Sequence, residues 1–164
     1  MLTRFGAVAA MVVALAACAS LSPAPRAVAL VENDPFRPAV EIVGAERQHS
    51  EGTGNRYFLR SWVERATGAA THQLYVRAAY GGGWRFYRSA SGQDASALEL
   101  VDINSDVSCQ RYGCIHYETF GVMIPDSLLR ANAAGYAVKA YARSGHEVVL
   151  AIDGPLASEQ IVRV

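Results

Sequence analysis

YAVKAYARSGHEVVLAI, residues 136–152, is the stretch that decides the architecture. In Tyr136–Arg143, Tyr136, Val138, Ala140 and Ala142 share one face and polar or small residues take the other. That is the period of a half-buried β-strand. Ser144-Gly145 then forms a tight turn and Glu147–Ile152 returns, so the segment reads as an antiparallel hairpin.

Working outward, the same alternation recurs in short runs broken by Gly, Asn, Asp and Ser. Val40–Val43 is a strand. In Arg56–Arg65, Tyr57, Leu59 and Val63 share a face; in His72–Tyr80, Leu74, Val76, Ala78 and Tyr80 do. Gly81-Gly82-Gly83 turns the chain, and Trp84–Ser89 is expected to pair back on the preceding strand. Leu98–Ile103 and Ile115–Ile124 are further strands. Pro125–Ala134 carries helix-start residues, with Leu128 and Leu129 inward and Gly135 closing it. Asp153-Gly154-Pro155 starts a second helix with Leu156, Ile161 and Val164 inward. The fold expected is all-β and mainly antiparallel, a β-sandwich or small β-barrel with one or two short helices.

The chain has 164 residues, one domain's worth, with 15 cations, 15 carboxylates and no net charge. Lys139 is the only lysine. Such a balance gives no electrostatic footprint for nucleic acid.

The N-terminus has its own pattern. Met1–Arg4 carries one positive charge, and Phe5–Ala17 is an almost unbroken apolar run. It is too short to span a bilayer comfortably, and small residues mark its exit, as in a secretory signal peptide. Leu15-Ala16-Ala17-Cys18 resembles the lipobox of bacterial lipoproteins. The resemblance implies cleavage before Cys18, a diacylglycerol on its sulfur and commonly a third acyl chain. Two or three chains anchor a protein stably without a spanning helix. Ala19 stands where an Asp favours inner-membrane retention in enterobacterial lipoproteins, which implies an outer-membrane anchor. Residues 1–17 are thus expected to be the signal peptide and 18–35 a Pro-rich tether with a turn at Asn33-Asp34-Pro35. Residues 36–164 form a single periplasmic domain.

Two cysteines remain, Cys109 and Cys114, flanking Gln110-Arg111-Tyr112-Gly113 between strand-like runs. Residues just outside a four-residue hairpin loop face each other within disulfide range, and Gly113 supplies the left-handed residue. An exported chain meets an oxidising compartment, so a disulfide is expected. The loop is short and the bridge mainly fixes its tip, where Arg111 and Tyr112 form a candidate recognition element. Cys114, His116 and Glu118 share a strand face, but an oxidisable Cys in so small a set argues against a metal, and no cofactor is expected.

Other candidates are thinner. His49 and His146 read as solvated, and His72 as an edge or core residue. Asp102, Asn104 and Asp106 alternate, but lack the Gly and distal Glu of a calcium loop. Trp62, Tyr75, Tyr87 and Tyr141 fall on outward faces beside Arg60, Arg77, Arg85 and Arg143. They are either a recognition surface or, where a sandwich covers both faces of a strand, core.

Three functional readings follow. The first is a non-catalytic envelope module, held to the membrane through acyl chains on Cys18 and binding an envelope protein or glycan. The second is a small hydrolase inhibitor of the lysozyme type, since some bacterial lysozyme inhibitors are lipid-anchored, disulfide-containing β barrels. Ser89-Ala90-Ser91-Gly92 slightly resembles a Ser-Gly loop of one such group, but the cysteine layout differs and no site carries over. The third is an enzyme using His116 and Glu118 as an acid/base pair.

Overall fold

The computed structural model of the chain describes residues 30–48 and 55–163. Among the described residues, eleven strands form two antiparallel sheets. In chain order the strands are β1 (Leu30–Glu32), β2 (Ala39–Val43), β3 (Arg47–Gln48), β4 (Arg56–Glu64), β5 (Ala70–Gly81), β6 (Tyr87–Gly92), β7 (Ala97–Leu98), β8 (Leu100–Gln110), β9 (Gly113–Ile124), β10 (Gly135–Ala142) and β11 (Glu147–Asp153). Helix α1 (Asp126–Ala131) follows β9, and α2 (Gly154–Arg163) follows β11. The larger sheet runs β1-β2-β4-β5-β9-β8, with β3 also on β4; the smaller runs β11-β10-β6-β7. The all-β reading thus resolves to a sandwich.

Alternation explains the core. Leu59, Leu74, Val76, Phe120 and Val122 from the larger sheet meet Tyr87, Val138, Ala140, Leu150 and Ile152 from the smaller. The hairpin read from residues 136–152 is β10–β11, with Val138 opposite Leu150 and Ala140 opposite Val148.

Several expectations are corrected. Trp84–Ser89 does not pair back on β5. Strand β6 starts at Tyr87 and pairs with β10, so the glycine turn, with Gly82 at φ 91°, carries the chain from one sheet to the other. Tyr87 consequently faces inward and stacks on Phe120, ring centres 4.8 Å apart. Leu30–Glu32, assigned by composition to the tether, pairs with β2, and the Asp34 turn links the two strands. Helix α1 stops at Ala131; Gly135 opens β10 instead of closing the helix. Ser89–Gly92 lies in strand β6, not in a loop.

The helix-covered end is tied by a buried polar chain. Ser61 and His72 are cross-strand partners on the inner face of β4 and β5, and both are fully buried with Gln160 of α2. Gln160 Nε2 donates to the Leu59 carbonyl (3.2 Å), which turns Oε1 towards Ser61, whose hydroxyl donates to it (2.7 Å). The serine has one hydrogen, so the 2.6 Å contact with His72 Nδ1 has the ring as donor. His72 Nε2 lies 3.0 Å from Asp126 at the start of α1. Arg130 donates to the same carboxylate at 2.8 and 2.9 Å. Ser61, His72 and Asp126 thus line up as serine, histidine and carboxylate. Yet the serine is sealed in the core with its proton on Gln160, so the chain is a tie between sheet and helices rather than a nucleophilic site.

Two outcomes follow. Ser61→Ala orphans Gln160 Oε1 and the His72 Nδ1–H, and should lower unfolding free energy in urea by about 1–3 kcal/mol. Asp126 is held below the ordinary carboxylate range, first by Arg130 and then by His72. Its stabilisation is therefore complete above about pH 4 and is lost as pH falls through the folded value. Asp126→Asn should be less stable than wild type at neutral pH, and the gap should close in acid. A gap that persists unchanged in acid would show that the carboxylate's charge is not what matters.

Candidate functional site

The far end of the β8–β9 hairpin projects as an arm past β5, whose pairing with β9 ends at Gly81 opposite Ile115. From Val101 to Gln110 every β8 residue is exposed, as are the first three of β9. Cys109 and Cys114 are directly opposed and bonded, with Cα atoms 4.0 Å apart. Pairing continues one step further, Gln110 with Gly113, so the four-residue loop expected from spacing closes to a two-residue turn, Arg111-Tyr112. Gly113 takes φ 137°, in the region that favours glycine. Tyr112 at the tip is 96% exposed.

At the base of the arm the crossover between sheets forms a knuckle, Trp84–Phe86. Phe86 sits at φ 58°, where a bulky residue is strained, and the residue is 42% exposed. The surrounding backbone holds it there. Phe86 N–H donates to Glu118 Oε1 (2.7 Å) and Tyr87 N–H to Oε2 (3.2 Å). Arg85 N–H donates to the Tyr80 hydroxyl (3.1 Å). The Phe86 and Arg85 carbonyls accept from Arg143 and Ser144 N–H. Burial pushes the Tyr80 phenol above its ordinary value; the Arg85 N–H opposes this and a hydrogen bond to Glu118 adds to it.

Glu118 and His116 lie on one strand face, as the alternation implies, but they do different things. Glu118 is buried with both oxygens engaged by backbone. That leaves no oxygen free of a structural bond for the acid/base pairing considered from sequence. His116 lies under Trp84, edge to face with ring centres 4.5 Å apart, and stacks over Tyr80 at 5.9 Å. Val107 is its cross-strand neighbour, and Phe86 stacks on Trp84 at 6.0 Å. A continuous aromatic and aliphatic surface results.

The exposed apolar residues confirm where surface is concentrated. Of the ten large hydrophobics exposed among the described residues, six (Phe86, Val101, Ile103, Val107, Tyr112 and Ile115) belong to the arm or knuckle. Of these, Val107 shares the His116 and Glu118 face with the knuckle, Val101 and Ile115 lie on the opposite face, and Tyr112 caps the tip.

The outward aromatics of β4 and β5 are arranged differently. Arg60 lies 4.7 Å from the ring centres of both Trp62 and Tyr75, and Phe58 stacks on the latter at 4.7 Å. Gln73 fixes the guanidinium at 2.6 and 2.9 Å. These rings are stacked on one another and half-buried, so this face is closed on itself. Arg77 packs on Tyr117 and Arg85 on Tyr80. Tyr141 is half-buried on the smaller sheet, with its hydroxyl 2.9 Å from Ser91 Oγ; Arg143 is exposed. A bulge at Ile103 sets Asp102 on the inner face and Asn104 and Asp106 on the outer, so the three do not converge as calcium ligands would. Cys18 and His49 lie outside the described residues. Alternation could not reveal Ser61, Gln160 or the Glu118 clamp; the only hint was a polar residue at an inward position.

No family model matches the chain, and neither any curated protein nor any solved structure does.

The geometry at Phe86 makes an ordering test. Glycine relieves the left-handed strain, about 1 kcal/mol, and β-branched residues resist it most. Phe86→Gly should therefore be more stable than Phe86→Val by thermal melt, the reverse of the order at an extended surface position. Glu118→Ala orphans two backbone donors and should cost about 2 kcal/mol or more. A Glu118→Ala protein as stable as wild type would remove the clamp from the account.

Proposed function

We propose that this chain is a lipid-anchored, non-catalytic binding module of the bacterial envelope. In this reading Cys18 carries the acyl chains, the anchor sits in the outer membrane, and the domain works in the periplasm. The observation that supports binding is the share of exposed apolar side chains that falls on β8, β9 and the knuckle, where a strained Phe86 is fixed by a buried carboxylate. Strain of this kind is stored where it holds a functional side chain in place. The surface combines aliphatic Val101, Ile103, Val107 and Ile115 with aromatic Trp84, Phe86 and Tyr112, a mixture that suits an envelope protein or a glycan.

A second reading is favoured by the tip. Arg111 and Tyr112 on a bridged, projecting turn have the shape of an insert for an enzyme cleft, as a hydrolase inhibitor of the lysozyme type would need. Pre-ordering the turn lowers the entropy lost on binding. A lysozyme assay separates the readings: Arg111-dependent inhibition favours the inhibitor.

Two experiments test the proposal. Cys18→Ser should release the protein from the membrane fraction and abolish acyl labelling; retention of both would overturn the anchor. A Phe86→Gly, Tyr112→Ala variant should fold, reach the membrane at wild-type level and reproduce the envelope-sensitivity phenotype of a deletion. Wild-type behaviour in that assay would leave the arm without a binding role.

A further inference from the structure

The two sheets come close along one side without joining. Strand β6 meets β7 only at Ala90 and Ser91, so among the described residues Tyr87–Ser89 has β10 on one side and no paired strand on the other. Strand β8 passes that gap with β9 as its one paired strand. A bulge interrupts each strand there. Tyr87 and Arg88 of β6 together oppose Ala142, and Ile103 of β8 is skipped between Asp102 and Asn104. Bulges break the pairing pattern and re-aim side chains, and they gather beside functional sites.

A narrow cavity of about 20 Å³ lies in this gap, with Phe86 and Arg88 on the β6 side, Asp102 and Ser105 on the β8 side, and Glu118 in its lining. That is room for one water-sized group. Glu118 is already engaged by the knuckle backbone. Arg88, Asp102 and Ser105 are not engaged. Among the described residues none of the three makes a side-chain hydrogen bond or ion pair, and the Arg88 guanidinium lies 5.9 Å from the Phe86 ring centre. A cation and a carboxylate thus line one cavity without pairing.

Their chemistry selects the occupant. Arginine only donates, an aspartate only accepts, and a serine hydroxyl does both. A hydroxyl group, itself donor and acceptor, answers all three. An anion in the cavity would meet Asp102 and a cation Arg88, in each case a like charge faced after losing water. Phe86 lines the same cavity and is also exposed, fixed at positive φ with the Trp84 ring within 27° of parallel beside it. An exposed aromatic ring covers an apolar face well. A pyranose carries both features in one rigid ring, an apolar C–H face and hydroxyls around its rim. A protein side chain offers one or the other: serine has the hydroxyl without the face, and leucine the reverse.

We infer that this cleft binds an uncharged pyranose residue of an envelope glycan, with one hydroxyl entering between Arg88, Asp102 and Ser105 and the C–H face of the sugar resting on Phe86. The Glu118 clamp fixes Phe86 before the sugar arrives, which lowers the ordering cost of binding. This inference rests on the knuckle being a recognition element and names the class of ligand it recognises.

The test uses the full-length protein in micelles of a detergent without a sugar headgroup, titrated with tetrasaccharides and followed by NMR. Two are neutral, of glucose and of N-acetylglucosamine; one is cationic, of glucosamine; one is anionic, of galacturonate. A neutral tetrasaccharide should bind at least about tenfold more tightly than either charged one, because like charge at a contact suppresses the wrong ligand. Amide signals of Arg88, Asp102 and Ser105 should shift on binding, and those of Trp62 and Val149 should not. Phe86→Gly should abolish binding. Asp102→Ala should weaken it about tenfold, as loss of a hydrogen bond to a charged group does, and Ser105→Ala a few-fold. The Ser105→Ala change, small and at an exposed position, decides the matter should the glycine variant repack the knuckle. No binding of either neutral tetrasaccharide, tighter binding of a charged one, or undiminished binding by an Asp102→Ala, Ser105→Ala variant would overturn the inference. If no saccharide binds while Phe86→Gly, Tyr112→Ala still reproduces the deletion phenotype, the glycan falls and the binding role stands with a protein as partner. If that variant also behaves as wild type, both fall.

Discussion

The carboxylate of Glu118 is the point from which the exposed end of this molecule is built. It rises from β9 in the larger sheet and accepts the N–H groups of Phe86 and Tyr87, where the chain enters the smaller sheet. A buried carboxylate without donors would be strongly destabilising, and a buried N–H without an acceptor nearly as much. Each need is met only when the crossover lies over Glu118. That placement turns Tyr87 into the core and forces Phe86 to positive φ with its ring to solvent. One constraint therefore sets the register between sheets, completes the core and exposes the knuckle.

The opposite end is held by a different buried polar group, through the same strand. Strand β5 carries His72 at one end, bonded to Ser61 and Asp126, and Tyr80 near the other, bonded to the Arg85 N–H. The helices close the His72 end, while the Tyr80 end opens onto the knuckle and the arm. This asymmetry gives the module one sealed end and one exposed end. The disulfide belongs to the exposed end and holds a two-residue turn that has no core to support it.

Much of this was legible in the sequence, and the limits have physical causes. Period-two alternation located the β10–β11 hairpin and the inward faces of β4, β5 and β9, because a strand reports its own buried side. It could not say which sheet a strand joins. Three glycines permit a hairpin or a crossover equally, so Trp84–Ser89 was assigned to the wrong partner and Tyr87 to the wrong face. Cysteine spacing identified the bridge but left the loop one pair too long, since a register shift of one step leaves the spacing unchanged. Alternation placed His116 and Glu118 together. It was silent on their roles because the donors that engage Glu118 lie 31 and 32 residues away. Ser61 and Gln160, 99 residues apart, were invisible for the same reason. Leu30–Glu32 was hidden by the small, polar and Pro-rich composition just before it.

The central claim is that partners meet the arm and knuckle, and not the stacked Trp62–Arg60–Tyr75 face. Site-specific photocrosslinking in intact cells tests this most directly, with the photoreactive residue placed in turn at Phe86, Tyr112, Trp62 and Val149. The account predicts a discrete adduct from positions 86 and 112 and none from 62 or 149. Adducts from Trp62 or Val149 alone, or from none of the four positions, would contradict it.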